Sequence, residues 1–282
     1  MNILDVNSDD YRRWRDRKLA GFTSDMDKLM VEIKNPHKLT ESEINLSSTI
    51  INQSNLLFFE LKEDNDDIKS SLMKLAKQFG MGNFEILESS EKSGLTKIEV
   101  SAESKVKSEY VPYTNKSLNW HTDGYYNEAN DPILSWLLFC QSNSSSGGDN
   151  KFMDHEIAYI LFNEQSENIR DLTDDKAFII PENIHSGRKA VSSYVFKLLD
   201  EKLHMRFSMR QKNIIWRDNI RESVELLKSI IRENESYQIK YKLEPNQGVI
   251  SNNIIHMRTS FTNTTNKNRL LYRLRSKKRV DI

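Results

Sequence analysis

The chain has 282 residues, of which 37% are hydrophobic and 29% charged, as in globular proteins with a polar surface. Lys and Arg number 41 and so do Asp and Glu, so the zero net charge argues against nucleic acid or an anionic membrane as partner. The single cysteine, Cys140, excludes an intrachain disulfide and a cysteine-based zinc site. No apolar run approaches the roughly 20 residues of a membrane span and no signal-peptide core follows Met1, so we expect a reduced, cytoplasmic protein.

The N-terminal third is predicted to contain helices around one buried strand. Residues 7–34 and 41–53 have the polar character of surface helices, and the apolar run LLFFEL at 56–61 is typical of a short buried strand. In residues 64–82, acidic side chains stand at the start, apolar side chains recur at helical spacing and Gly80 supplies a stop, so we predict another helix there.

From about residue 95 onward, most segments have the pattern of short strands. The predicted strands are 96–102, 132–141, 176–181, 193–199, 204–209, 237–244, 248–257 and 269–276. A helix at 217–235 interrupts them. Many short strands after a helical opening favour a β-sandwich or barrel with helices packed outside. We predict one domain over 1–282, in which a helical or mixed part, 1–95, packs on a barrel, 96–282, with a helical insertion.

The stretch NWHTD, residues 119–123, carries two residue types that bind metals. In a strand, residues two apart point to the same face, so His121 and Asp123 would lie side by side. Asp in such a place often only closes a turn, and two ligands leave a metal mostly uncovered. His256, on another predicted strand, is the best third candidate, although a lone histidine can also be a core residue. Two histidines and one carboxylate form the ligand set of non-haem Fe(II) oxygenases.

The last predicted strand, NRLLYRLRS at 268–276, places several arginines on one face. By strand alternation the residues sharing that face are Arg269, Leu271, Arg273 and Arg275. If this face points into the barrel, each buried guanidinium requires an anionic partner, and a bidentate carboxylate is the natural one. If it points outward, these arginines are surface charges.

Four segments in order along residues 119–276 resemble the Fe(II)/2-oxoglutarate-dependent dioxygenases of the TauD/TfdA, or taurine dioxygenase-like, family. NWHTD resembles the family's first metal motif. SGGDNKFMDHEIAYILF at 146–162 resembles its Gly-Gly-[Asp/Glu]-Thr segment, SNNIIHMRTSF at 251–261 its second metal motif, and NRLLYRLR at 268–275 its closing strand.

The resemblance implies a fold, a ligand set and cofactors. The implied fold is mainly β with flanking helices around a double-stranded β-helix, a jelly-roll or cupin-like core. His121, Asp123 and His256 are implied as ligands of Fe(II), with O2 as the oxidant, and Arg269 as the partner of the distal carboxylate of the cosubstrate 2-oxoglutarate. Asn150 stands where the family usually has a Thr that binds the cosubstrate, and an amide N–H can donate a similar hydrogen bond.

Three further residues are candidates for binding the substrate. Arg273 occupies the position at which taurine-type enzymes bind the sulfonate of their substrate, and here it binds a substrate anion or pairs with an acidic neighbour. Tyr125 and Tyr126 follow the first metal motif and either line the mouth of the substrate site or pack in the core.

We therefore predict an oxidoreductase that hydroxylates a small anionic or zwitterionic metabolite and releases succinate and CO2. A narrower alternative is an amino-acid or betaine hydroxylase, as in the γ-butyrobetaine-like and clavaminate-synthase-like relatives. An alternative of another class is a cupin-like metal-binding sensor without turnover, whose metal site would be closed by a fourth protein ligand. The family often forms dimers or tetramers, so a homo-oligomer stays open.

Overall fold

The computed structural model describes residues 4–62, 67–87, 89–100, 111–184, 187–210 and 214–282. The start of predicted helix 64–82 and the end of predicted strand 96–102 lie partly outside these ranges. The helices are α1 Asp9–Ala20, α2 Met26–Leu29, α3 Glu41–Ser54, α4 Ile68–Gln78, α5 His155–Asn163, α6 Ile169–Thr173 and α7 Arg221–Glu233. None of the helices among the described residues is long and apolar enough to cross a membrane.

The strands divide between two main sheets and smaller ones. They are β1 Met30–Ile33, β2 Leu56–Leu61, β3 Thr96–Glu99, β4 Leu118–His121, β5 Ser135–Ser142, β6 Ser146–Gly147, β7 Asn150–Met153, β8 Phe178–Ile180, β9 Val191–Ser193, β10 Phe196–Leu199, β11 Lys202–Met205, β12 Ile215–Trp216, β13 Ile239–Tyr241, β14 Gln247–Ser251, β15 Ile255–Arg258, β16 Phe261–Thr262 and β17 Leu270–Ser276. A six-stranded sheet has the order β1-β2-β14-β5-β17-β3, and a four-stranded sheet has the order β13-β7-β15-β4.

The two main sheets face each other across an aromatic core. Phe58 in β2 and Trp136 in β5 each pack against Phe152 in β7, with ring centroids 5.6 and 6.4 Å apart. Side chains from the inner faces of two sheets that interdigitate in this way form the core of a sandwich or jelly roll. The predicted jelly-roll core with flanking helices is confirmed.

The segment between β7 and β13 contains α5, α6 and α7 together with the short strands β8 to β12. Its α5 is buried along almost its whole length and packs against α7, whose Val224, Leu227 and Ile231 form the apolar face. Tyr159 of α5 meets Phe196 of β10 with ring centroids 5.3 Å apart. This second core supports the outer side of the four-stranded sheet. The helix predicted at 217–235 is confirmed as α7, preceded by a short 3-10 turn.

The prediction of helix over 7–34 holds for α1 and α2 but is wrong at 30–33. The chain forms α1 and α2 and then β1, which pairs in parallel with β2 and places Met30 opposite Phe58. Val31 and Ile33 are buried at alternate positions of β1, so the pairing partner decides its conformation rather than local helix propensity. By contrast α3 begins at a capping box of Thr40 and Glu43, which is a purely local signal.

The predicted strand 248–257 is two strands joined by a corner. β14 ends at Ser251 in the six-stranded sheet, and β15 begins at Ile255 in the four-stranded sheet. Between them Asn253 adopts a left-handed conformation with φ 55°, which Asn tolerates better than other non-glycine residues. The corner therefore carries the chain from one sheet to the other immediately before His256.

Candidate metal centre

Two adjacent strands bring His121 and His256 together. β4 and β15 are antiparallel neighbours, and His121 lies directly opposite His256 in their register. Directly opposite residues point to the same face, so both imidazoles enter the space between the sheets, with ring centroids 4.3 Å apart. A separation of 135 positions in the sequence is thus closed by one strand pairing.

Asp123 completes the cluster from just beyond the end of β4. Its Oδ1 lies 3.6 Å from Nε2 of His121 and 4.0 Å from Nε2 of His256. One ligand atom from each residue lies within 4.8 Å of the others, and this is the one such group of His, Cys, Asp or Glu in the part of the chain that the structure describes. The three residues that the sequence proposes as metal ligands therefore converge, and no fourth residue of these types closes the site among the described residues.

Backbone carbonyls orient both imidazoles toward a metal. Nδ1 of His121 lies 2.8 Å from the Asn119 carbonyl, and Nδ1 of His256 lies 3.0 Å from the Ile254 carbonyl. A carbonyl only accepts, so each Nδ1 carries the proton and each Nε2 keeps its lone pair free. Burial and the neighbouring His121 lower the pKa of His256 to about 3, which keeps this imidazole neutral at physiological pH.

Asp123 is held ionised by its neighbours. Burial alone would raise the pKa of this carboxyl group, but the positive charges of Arg273, whose Nη1 lies 3.3 Å from Oδ2, and of Arg275 lower it. Together with smaller contributions they bring the pKa well below its usual range. Two imidazoles and one carboxylate on one side of a site fit Fe(II), and the missing fourth protein ligand leaves coordination positions for other molecules.

A cavity runs from this cluster between the two sheets. It is lined by Ile98, Pro112, Leu118, Asp123, Trp136, Leu138, Asn150, Phe152, His256, Arg258, Arg269, Leu271 and Arg273. Arg269, Leu271 and Arg273 all line it, so the arginine face of the closing strand points inward, as one of the two sequence alternatives requires. Asn150 is buried and lies opposite Arg258 in the pairing of β7 with β15.

Arg269 and Arg258 bring two guanidinium groups to the end of this cavity. Both stack on the ring of Phe261, at 5.1 Å for Arg269 and 4.9 Å for Arg258. Burial and the charge of Arg258 lower the pKa of Arg269 to about 9, and burial lowers the pKa of Arg258 to about 10. Two cations in one apolar place are costly unless each has a partner.

The two arginines differ in what they bind. Arg258 donates to the carbonyls of Pro112, at 3.4 Å, and Thr114, at 3.0 Å, and also to that of Lys116. The side chain of Arg269 has no hydrogen bond or ion pair with any described residue, although only 5% of it is exposed. Arg258 is therefore a structural clamp, whereas Arg269 is a buried cation that lines the cavity and has no anionic partner among the described residues.

The two tyrosines lie beside this cavity rather than in its wall. Tyr125 is buried in the second core, among the side chains around α5. The hydroxyl of Tyr126 accepts a hydrogen bond of 2.8 Å from Nη1 of Arg275, which also forms a buried ion pair with Glu85. Their predicted contact with substrate stays a prediction.

Sequence reasoning missed the residues that hold the loop after the metal motif. Arg206 is fully buried and donates to the carbonyls of Tyr125, at 3.0 Å, and Asn127. Asn253 bonds the backbone of Asp123 on both sides of that residue. The only sequence signal for Asn253 is the pair of asparagines before the second metal motif.

A two-sheet jelly roll that carries two histidines and a carboxylate beside a cavity between its sheets defines the class of non-haem Fe(II) oxygenases. The family model "Taurine catabolism dioxygenase TauD, TfdA family" matches residues 16–275, so the chain belongs to this family. Members of the family use Fe(II), 2-oxoglutarate and O2, and the chain is a 2-oxoglutarate-dependent dioxygenase. The resemblance found in the sequence is confirmed, and the alternative of a sensor without turnover is not supported.

Solved structures of the same fold are distant in sequence. A taurine dioxygenase from Burkholderia xenovorans is 16% identical with a TM-score of 0.57, covering 88% of this chain and 87% of that one. Asparagine oxygenase in complex with Fe(II), 2S,3S-3-hydroxyasparagine and succinate is 10% identical with a TM-score of 0.59, covering 88% and 93%. AAD-2 in complex with Mn(II) and N-oxalylglycine is 15% identical with a TM-score of 0.60, covering 90% and 96%. The comparison with curated proteins gives no match.

Proposed function

We propose that the chain hydroxylates a small anionic or zwitterionic metabolite at an Fe(II) ion held by His121, Asp123 and His256. The observation that carries the substrate class is the position of Arg273, whose guanidinium reaches into the metal cluster itself. The single domain over 1–282, the cytoplasmic location and a dimeric or tetrameric assembly stay predictions.

We propose that 2-oxoglutarate binds in the cavity between the metal cluster and Arg269. We propose that Arg269 binds the distal carboxylate as a bidentate partner and that Asn150 donates an amide hydrogen bond beside it. In support, Arg269 is a buried cation with no anionic partner among the described residues, and both side chains line the same cavity as Asp123 and His256. When bound, iron and 2-oxoglutarate supply the oxidising power from O2, and 2-oxoglutarate leaves as succinate and CO2.

Arg273 would select an anionic group of the substrate. Its Nη1 is 3.3 Å from Oδ2 of Asp123, and its Nε is buried without a hydrogen bond. A metal that binds Asp123 takes over the charge of that carboxylate, so Arg273 is left with an unbalanced positive charge next to the reaction site. A carboxylate or sulfonate of the substrate would restore the balance and fix the substrate against the metal.

Binding of the cosubstrate can be tested without knowing the substrate. Fe(II) and 2-oxoglutarate are added to the protein without oxygen, and the visible charge-transfer absorption of a chelated 2-oxoacid is recorded. We expect the band in the wild type, its loss in His121→Ala and His256→Ala, and a much higher 2-oxoglutarate requirement in Arg269→Ala. An unchanged band in His256→Ala would show that His256 is not a metal ligand.

The substrate class is tested by a screen for succinate release. The panel contains amino acids, other carboxylates, sulfonates, betaines and uncharged analogues of the same size. We expect the active compounds to carry an anion, and we expect Arg273→Ala to lower their turnover by about tenfold or more at saturating Fe(II) and 2-oxoglutarate. Lys277→Ala, which removes a half-exposed cation near the end of the same strand, is the matched control. If the best substrate is uncharged and Arg273→Ala turns it over normally, the proposed substrate class is wrong.

A further inference from the structure

The side chain of Asn253 forms a clamp around the backbone of Asp123. Its Oδ1 accepts a hydrogen bond of 2.8 Å from the Asp123 N–H, and its Nδ2 donates one of 2.9 Å to the Asp123 carbonyl. The same Nδ2 donates a second bond of 2.7 Å to the carbonyl of Ile133. Only 1% of Asn253 is exposed, so all three bonds are shielded from water.

The clamp acts on the one proposed ligand that the sheet does not fix. His121 and His256 lie within paired strands, whose register sets their positions. Asp123 lies beyond the end of β4, and Gly124 after it has a positive φ of 66°. The N–H of Thr122 donates to the carbonyl of Phe207 and the carbonyl of Gly124 accepts from the N–H of Asn127, whereas the N–H and carbonyl of Asp123 itself are bonded by the side chain of Asn253.

Asn253 also connects two of the proposed ligands through the chain. It is the left-handed corner residue of the turn into β15, three positions before His256. A shift of this corner therefore moves the strand of His256 and the backbone of Asp123 together. The amide oxygen and nitrogen match the N–H and carbonyl of one residue, an arrangement that a carboxylate or a hydroxyl cannot reproduce.

The far side of the clamp is anchored in the buried core. The carbonyl of Ile133 accepts a second hydrogen bond of 3.2 Å, from Nε2 of His204. Nδ1 of His204 in turn lies 3.2 Å from the hydroxyl of Tyr194. Asn253 thus links the loop of Asp123 to a backbone carbonyl that is itself hydrogen-bonded in the buried core.

We propose that Asn253 is a positioning residue for the metal centre, which sets metal affinity by fixing Asp123 relative to His256. The inference rests on the proposed function, because it requires a metal at the three ligands. Mutation of a residue that orients a metal ligand through hydrogen bonds typically lowers metal affinity 10- to 100-fold.

The test compares neighbouring asparagines of the same corner. Asn253→Gly removes all three hydrogen bonds but keeps the left-handed backbone, and Asn253→Asp keeps an acceptor for the Asp123 N–H but loses both donated bonds. Asn252→Ala is the control: Asn252 is also buried, but its side chain bonds Asn55 and Val280 and not Asp123. Mn(II) affinity is measured by calorimetry, the absorption of saturating Co(II) reports coordination geometry, and thermal unfolding without metal reports stability.

We expect Asn253→Gly and Asn253→Asp to lose about tenfold or more in Mn(II) affinity and to change the Co(II) spectrum. We expect Asn252→Ala to lower the melting temperature while its Mn(II) affinity and Co(II) spectrum stay as in the wild type. If both Asn253 variants bind Mn(II) within twofold of the wild type, the positioning role is overturned. If Asn253→Gly does not fold, Asn253→Asp decides. A wild type that binds no Mn(II) or Co(II) would instead overturn the proposed metal centre.

Discussion

Replacing Arg269 with Met should make the ligand-free protein more stable, although it removes a residue proposed to bind the cosubstrate. The pKa of Arg269 is lowered from its ordinary value to about 9, which corresponds to about 5 kcal/mol against the charged guanidinium in its buried environment. Met fills a similar volume, needs no anion and still contacts the ring of Phe261. Loss of the cation–π contact, about 1–2 kcal/mol, offsets part of the gain.

The net expectation is a stabilisation of about 1–4 kcal/mol without ligands, the range found when buried charges are replaced by apolar side chains. For a chain of this size each kcal/mol raises the melting temperature by about 2–4 °C. The wild type should gain about 2.7 kcal/mol from 2-oxoglutarate at 100 times its dissociation constant in the presence of Mn(II), and Arg269→Met should lose this gain.

The assay is thermal unfolding of both proteins without ligands, with Mn(II), and with Mn(II) and 2-oxoglutarate together. Arg258→Met is the matched control, because Arg258 stacks on the same ring but donates to backbone carbonyls that its loss would leave unpaired. Its melting temperature should fall. A lower melting temperature for Arg269→Met without ligand, together with an undiminished shift by 2-oxoglutarate, would refute the reasoning.

Three further predictions concern the surroundings of the metal cluster. Gly124→Ala should destabilise the fold and weaken Mn(II) binding, because the added Cβ would lie 2.4 Å from Cγ1 of Ile133 at a φ of 66°; thermal unfolding and calorimetry measure both effects. Arg273→Ala should raise Mn(II) affinity without substrate by roughly tenfold, since it removes a cation 3.3 Å from Asp123, and an unchanged or lower affinity in calorimetry would contradict this. Burial lowers the pKa of His204 to about 3, so as the pH falls below about 6.5 this histidine is protonated in the unfolded chain but not in the folded one. Protonation of the unfolded chain therefore destabilises the wild type between pH 7 and pH 5. Over this range urea unfolding should show that His204→Gln loses about 2 kcal/mol less stability than the wild type.

The residues that converge on the candidate site could be named from the sequence. Strand alternation, which acts within a few residues, put His121 and Asp123 on one face, and the order of the family's motifs along the chain added His256 as the third ligand. The alternation of the closing strand also predicted that Arg269 and Arg273 share a face. Helix ends such as the capping box of α3 are set by neighbouring residues and are equally visible in the sequence.

Which face points inward and what each polar side chain binds became visible only once the segments were packed together. Arg258 and Arg269 look alike in the sequence, yet one is satisfied by carbonyls of a distant segment and the other is left for a ligand. Residues 30–33 form a strand because they pair with β2. Asn253 clamps Asp123 because the corner between β14 and β15 packs against the loop that follows β4. Such roles depend on hydrogen bonds between segments far apart in the chain, and local propensity carries no information about them.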